Sequence, residues 1–245
     1  MQKSVKENLL AFDSSPAACY NCVMIEKNVK ELLDELKCGN CFGEEVTLVA
    51  ATKTRTADEI NAAIAAGITD IGENKVQEFR DKFELVHGAS RHFIGHLQTN
   101  KVKYLVGRCD LIHSVDRDEL GREIACRAQK LGVVQNILIQ VNVGCEETKG
   151  GYPLSDAFAA FERLSQTSGL RVLGFMAMLP ISSDEKLLAT LCDEMRALYD
   201  RAREVSADIK YLSMGMSGDW RLCLEHGANV IRLGTAIFGE RKYVS

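Results

Sequence analysis

The chain contains little that would break or staple it, and little that would take it to a membrane or a nucleic acid. Among its 245 residues are only three prolines and one tryptophan, and no linker or low-complexity segment interrupts it. No Lys/Arg block occurs and the formal net charge is -4, which argues against nucleic acid as the main partner. No apolar stretch approaches the ~20 residues of a membrane span, and the start, Met1-Gln2-Lys3-Ser4-Val5-Lys6, lacks the apolar region of a signal peptide. Gly-x-Ser-x-Gly, Walker and His-Glu-x-x-His motifs are missing too, which leaves hydrolase, kinase and metalloprotease readings unsupported.

Cysteine is the exception to this scarcity. Nine are present, an odd number without a secretory signal, which fits free thiols in a reducing cytoplasm. Cys19-x-x-Cys22 and Cys38-x-x-Cys41, fifteen residues apart, imitate a four-cysteine zinc pattern. The intervening segment reads as one helix, however, and fifteen helical residues span about 22 Å. Four sulfurs must lie about 2.3 Å from one ion, so no metal is expected.

With 46% hydrophobic and 26% charged residues, the chain suits one sizeable domain over residues 1–245. Eight short apolar strands are predicted at Val46–Lys53, Asp70–Glu73, His92–Gly95, Leu111–Val115, Asn136–Val143, Val172–Met178, Tyr211–Met214 and Val230–Gly234. Seven helical stretches separate them, among them Ala57–Ala66, Arg117–Leu131 and Asp184–Arg203. Eight units of about 25 residues point to a closed (β/α)8 TIM barrel, with a doubly wound open sheet as the alternative. Little chain follows the eighth strand. Ser15-Pro16 reads as an N-cap followed by Pro at N1, and Val23–Leu36 has helical periodicity, so an extra N-terminal helix is expected to pack over the barrel.

Lys53 ends the β-branched run Val46-Thr47-Leu48-Val49-Ala50-Ala51-Thr52 and so stands at the mouth of a buried parallel strand. It is either a strand-end lysine reaching solvent or an amine nucleophile. The last two strands favour the nucleophile. Tyr211-Leu212-Ser213-Met214-Gly215-Met216-Ser217-Gly218-Asp219 and Ile231-Arg232-Leu233-Gly234-Thr235-Ala236 both close on glycine and hydroxyl residues. Loops after strands seven and eight are where such barrels commonly bind phosphate, and glycine lets the backbone amides approach it. A phosphate cup beside an amine implies a phosphorylated carbonyl ligand held as a Schiff base, either a phosphosugar or pyridoxal 5'-phosphate (PLP).

The segments Leu48-Val49-Ala50-Ala51-Thr52-Lys53-Thr54, Gly72-Glu73-Asn74-Lys75-Val76-Gln77-Glu78 and His92-Phe93-Ile94-Gly95-His96-Leu97-Gln98-Thr99-Asn100-Lys101 carry a resemblance. So do Gln140-Val141-Asn142-Val143, Lys149-Gly150-Gly151 and the stretch Leu212–Gly239. In order, from residue 22 to residue 243, the chain resembles the YggS/PROSC-type PLP homeostasis proteins, single-domain relatives of the alanine racemase barrel.

The resemblance implies that Lys53 bears PLP as a Schiff base, that Ser213, Gly234 and Thr235 hold its phosphate, and that Arg232 faces the pyridine nitrogen. Asn74 would line the same pocket. A guanidinium donates only, so beside the ring nitrogen it keeps the pyridine unprotonated and weakens the electron sink of PLP chemistry. Arg232 could otherwise pair with a buried acid. The implied function is a PLP carrier or regulator that exchanges the cofactor without clear substrate turnover. Its partners would be PLP, other B6 vitamers and, transiently, PLP-dependent apoenzymes, and the chain would act as a cytoplasmic monomer.

Two enzyme readings compete. An amino-acid racemase needs a second base, usually a tyrosine, from a separate domain for which 245 residues leave no length. A phosphosugar aldolase or isomerase needs a carboxylate at the mouth, and Glu73 is the candidate. Lys149 is read as a solvated loop lysine or an accessory amine. His96, Gln98 and Asn100 shape the pocket mouth or begin a helix, and Met176, Met178, Met214 and Met216 serve core or pocket. The chain departs from the family pattern at Thr56, where a proline is common, and at Arg91, where an aromatic is common. Met1–Tyr20 has no counterpart.

Overall fold

Alternation along the first strand sets the plan of the molecule. In the computed structural model, which describes residues 16–146 and 148–240, strand β1 (Thr47–Ala51) turns Leu48 and Ala50 outward and Val49 and Ala51 inward. The other strands are β2 (Asp70–Glu73), β3 (Ser90–Phe93), β4 (Leu111–Val115), β5 (Gln135–Val141), β6 (Leu170–Ala177), β7 (Tyr211–Ser213) and β8 (Val230–Leu233). All eight predicted strands are present. They pair in parallel in chain order, and β8 returns to β1, so the sheet is a closed barrel. The open-sheet alternative is thereby excluded.

Helices α2 (Ala57–Ala65), α3 (Val76–Lys82), α4 (Asp118–Leu131), α5 (Leu154–Ser165), α6 (Glu185–Val205) and α7 (Trp220–Glu225) make six of the seven crossings. The seventh, between β3 and β4, is a 3₁₀ helix, Thr99–Tyr104, where an α-helix is expected from the count. After β8 comes a single turn, α8 (Thr235–Phe238).

The first helix, α1 (Pro16–Leu36), covers the gap this leaves. Its Ile25, Val29, Leu32 and Leu36 are buried with Ile60, Ile231, Leu233 and Ile237, and Asn28 Nδ2 donates to the Ile237 carbonyl at 3.0 Å. The expected cap at Ser15 lies outside the described residues. So does the side chain of Cys19. Cys38 and Cys41 are exposed beyond the end of α1, and among the described residues no group of three or more His, Cys, Asp or Glu could hold a metal. Every described cysteine is a free thiol, and no described helix is long and apolar enough to cross a membrane.

Thr56, at the position of the expected proline, caps α2. Its hydroxyl accepts from the Glu59 amide at 3.2 Å while Glu59 accepts from the Thr56 amide at 2.9 Å. Arg91 substitutes for an aromatic by lying over the Phe83 ring, 4.1 Å from its centroid.

Register defines the inner face. Ala51 pairs with Gly72, Gly72 with His92, His92 with Leu111, Met176 with Ser213 and Val49 with Arg232. Leu111, Leu138 and Met176 form the apolar part of this interior, and polar residues occupy the rest. Gly174 sits where the β5–β6 register shifts, at φ +149, and a Cβ there would lie 1.9 Å from the Tyr211 carbonyl oxygen. Gly174→Ala should therefore cost about 3 kcal/mol, read as a lowered urea midpoint at unchanged m-value. An unmoved midpoint would show that β6 relaxes there.

Candidate functional site

At the carboxyl ends of the strands lies a cavity of about 280 Å³. Lys53 and Arg55 enter it from the loop after β1, Asn74 from the end of β2, and Ser217 and Gly218 from the loop after β7. Arg232, Gly234 and Thr235 enter from β8 and its end, while Ile94, Met178 and Met216 supply apolar wall. Five of the six residues expected at the site thus meet in one cavity.

Ser213 does not line it. Strand parity turns its side chain into the barrel beneath, where it is fully buried and its Oγ accepts from Arg232 Nη1 at 2.7 Å. The hydroxyl that reaches the cavity from this loop is Ser217, four residues on, beyond the strand end. Arg55 is the other residue that sequence reasoning missed. Its guanidinium donates to the Gly239 carbonyl (2.6 Å) and lies 3.6 Å from Glu59, which steers a second cation onto the rim.

Lys53 is aimed by its neighbours. Thr54 adopts φ +64, a left-handed conformation that costs a threonine free energy. Its amide donates to Glu78 Oε2 at 2.6 Å, and Lys82 Nζ donates to the same oxygen at 3.2 Å. Lys82 also donates to the Thr52 carbonyl (2.9 Å) and Glu73 Oε1 (2.8 Å), which Thr52 Oγ1 approaches at 2.7 Å. One lysine thus clamps the residues on both sides of Lys53. Burial raises the Glu73 carboxyl above its ordinary range despite Lys82 and Thr52. Burial acts the same way on Glu78, but there the Thr54 amide and Lys82 outweigh it and hold the carboxyl low. Glu73 faces this clamp, not the cavity, so the aldolase reading loses its acid/base candidate.

Arg232 is buried and anchored. Nη1 donates to the Ser213 carbonyl (2.9 Å) as well as to its hydroxyl, and Nη2 donates to the Ala177 carbonyl (2.9 Å). Desolvation lowers its pKa to about 10, so it stays a cation at neutral pH. Among the described residues no carboxylate lies within the 4.0 Å of an ion pair with it, which removes the alternative of a structural acid partner.

Lys149 donates to the Leu179 carbonyl (3.1 Å) and pairs with Glu146, away from the cavity wall. His96 and Gln98 line a neighbouring cleft of about 270 Å³ that shares Asn74.

The cavity can be tested for a phosphorylated ring with an aldehyde. Asn74 Oδ1 is buried without a hydrogen-bond partner and belongs to the cavity wall. A Cβ on Gly218 would meet nothing within 4 Å, and one on Gly234 would make only ordinary contacts, 3.4 Å and 3.6 Å from Ala51. The fold does not require glycine at either position. What a side chain there would take is space for a ligand beside the loop amides. The residues fit such a group.

Comparisons with known proteins give the family and the fold. The family described as "Alanine racemase, N-terminal domain" matches residues 25–242. A protein of Aquifex aeolicus named "Pyridoxal phosphate homeostasis protein" is 43% identical over 199 residues, covering 80% of this chain and 87% of the relative. The structure of PipY from Synechococcus elongatus, solved with PLP bound, superposes with a TM-score of 0.77 at 31% identity, covering 88% of this chain and 100% of that one. An alanine racemase of Clostridium difficile shares the fold, at a TM-score of 0.71 and 13% identity, over 92% of this chain and 61% of its own.

Proposed function

Because this chain belongs to the pyridoxal phosphate homeostasis proteins, a family built on the alanine racemase N-terminal barrel, we propose that it holds PLP in the rim cavity and passes it on without turning over a substrate. The observation that carries this reading is the cavity's residue set. It offers an amine, two glycine–hydroxyl loops and two guanidinium groups, yet its described wall contains neither a carboxylate nor a tyrosine. A racemase or aldolase needs a base placed against its substrate.

When bound, PLP supplies an aldehyde that combines reversibly with amines and a ring that withdraws electrons from the carbon attached there. Lys53 is the amine placed to hold the aldehyde end. Ser217, Gly218, Gly234 and Thr235 hold the phosphate end through hydroxyls and backbone N–H groups, with Arg55 supplying charge. Arg232 faces the ring nitrogen as a donor that cannot take up a proton, so this chain withholds the acid that would strengthen the electron sink. Asn74 offers its unpartnered oxygen to a donor on the ring. Other B6 vitamers and PLP-dependent apoenzymes are the partners in exchange, with the chain acting as a monomer in the cytoplasm.

The test is the absorbance spectrum of wild type and Lys53→Ala after adding PLP, before and after borohydride reduction. Wild type should turn yellow, and reduction should fix the cofactor mass to the peptide carrying Lys53; the variant should do neither. A wild type that takes up no PLP would overturn the cofactor reading and bring the phosphosugar forward.

A further inference from the structure

Beneath the cavity the barrel interior holds a chain of polar side chains that crosses from one wall to the other. Asp70 Oδ1, at the start of β2, lies 3.1 Å from His92 Nε2 on β3. His92 Nδ1 lies 2.9 Å from His113 Nε2 on β4, and His113 Nδ1 lies 3.1 Å from Ser213 Oγ on β7. Ser213 Oγ in turn receives Arg232 Nη1, on β8, at 2.7 Å. His113 and Ser213 are fully buried, and His92 and Arg232 are nearly so. None of the three groups beyond Ser213 is used by the proposed cofactor contacts.

Donor and acceptor capacities give this chain one direction. Arg232 has only protons to offer, so Ser213 Oγ accepts from it and has its own proton left to donate. That proton goes to His113 Nδ1, which leaves His113 protonated at Nε2. His113 Nε2–H donates to His92 Nδ1, so His92 carries its proton at Nε2 and donates it to Asp70. Every member is satisfied, as a buried polar network requires. In the opposite sense Ser213 Oγ would face two donors, and its own proton would find no acceptor among its described hydrogen bonds.

The surroundings agree. Burial, then the neighbouring His92 and Arg232, push the His113 pKa well below its ordinary value, which keeps the ring neutral. Burial alone would raise Asp70, but hydrogen bonds from His92 and Thr69 outweigh it and keep the carboxyl ionised below its ordinary range.

We propose that Asp70, His92 and His113 are positioning residues for the cofactor pocket, a one-way hydrogen-bond relay that fixes Ser213 as an acceptor and thereby holds the Arg232 guanidinium toward the cofactor ring. The relay connects a buried cation that pairs with no carboxylate among the described residues to an anion on the far wall of the barrel. It also explains why Ser213 is sealed beneath the cavity: its proton belongs to His113 and its lone pair to Arg232. The role assigned to the relay rests on the reading of Arg232 as the ring-facing cation.

The deciding measurement is the imidazole 15N spectrum of the ligand-free protein, which distinguishes the two tautomers directly. Both His92 and His113 should be protonated at Nε2 and bare at Nδ1. A proton on Nδ1 of either ring overturns the relay, and this result needs no variant to fold. The role is read from His92→Leu, which removes the acceptor facing His113, and His92→Asn, whose oxygen can replace Nδ1. His92→Leu should weaken PLP binding about tenfold and move the bound cofactor's absorption maximum, while His92→Asn stays near wild type. A folded His92→Leu with wild-type affinity and spectrum overturns the positioning role. A wild type that takes up no PLP overturns the cofactor reading instead, and the tautomers then judge the relay alone.

Discussion

Lys82→Met should lose about 3 kcal/mol of stability and bind PLP more weakly, although Lys82 never reaches the cavity. The substitution keeps a long side chain but leaves Glu73, whose side chain is almost fully buried, without its counter-charge. It also takes one of two donors from the Glu78 oxygen that holds Thr54 in its left-handed conformation. The pH dependence identifies the cause. Glu73 is already raised by burial, so the folded state keeps a proton that the unfolded chain has released. The cost is absent below the unfolded pKa of about 4.3 and complete above the folded pKa. Removing Lys82 raises the folded pKa further. Urea midpoints of Lys82→Met should therefore fall as pH rises from acid toward neutrality, more steeply than in wild type. Lys82→Met combined with Glu73→Gln should flatten that slope and regain much of the loss. Equal midpoints for Lys82→Met and wild type across this range would refute the clamp.

The barrel was legible because each strand repeats one plan. Leu48 and Ala50 outside, Val49 and Ala51 inside, make a continuous apolar run, and a strand buried on both faces in an α/β protein has to read that way. Strand ends were harder, since the run does not stop where pairing stops. The sequence pattern carries β1 through Lys53, but the strand ends at Ala51 because Thr52 to Thr54 are taken up by the clamp. The β3–β4 crossing winds as 3₁₀ over Thr99–Tyr104, and its polar residues Thr99, Asn100, Lys101 and Lys103 did not distinguish that from an α-helix.

At the site, Lys53, Arg232, Gly234 and Thr235 could be located from their places at strand ends. Ser213 could not be told from Ser217 by composition, because both sit in one short stretch of hydroxyl and glycine residues. Parity separates them. Ser213 pairs with Met176 and shares its inward direction, whereas Ser217 lies past the last strand residue and is free to face the rim. The clamp and the buried histidines were invisible for a different reason. Lys82 is twenty-nine positions from Lys53, and His113 is one hundred from Ser213. Pairing of β1 with β2 brings the first two together, and closure of the barrel brings the second two together.

Glycine provides the sharpest separation between what the fold needs and what a ligand needs. Gly218→Val should leave stability within about 0.5 kcal/mol of wild type and weaken PLP binding about 100-fold, or ~2.7 kcal/mol. The fold has room, since nothing lies within 4 Å of a Cβ at Gly218, and its φ is not among the positive ones. The added branches would instead occupy the wall of the 280 Å³ cavity beside the loop amides, the place proposed for the phosphate. Gly215, three residues earlier, is the control with the opposite cause. It adopts φ +103, and a Cβ there would come within 3.0 Å of Trp220 Cα, so Gly215→Ala should lower the melting temperature first. Thermal melts without cofactor and PLP titrations on both variants separate the two effects. Inorganic phosphate should compete with PLP in wild type and lose that competition in Gly218→Val. If Gly218→Val binds PLP as wild type does, the loop after β7 does not hold the phosphate, and Thr235 with Arg55 must carry that end alone.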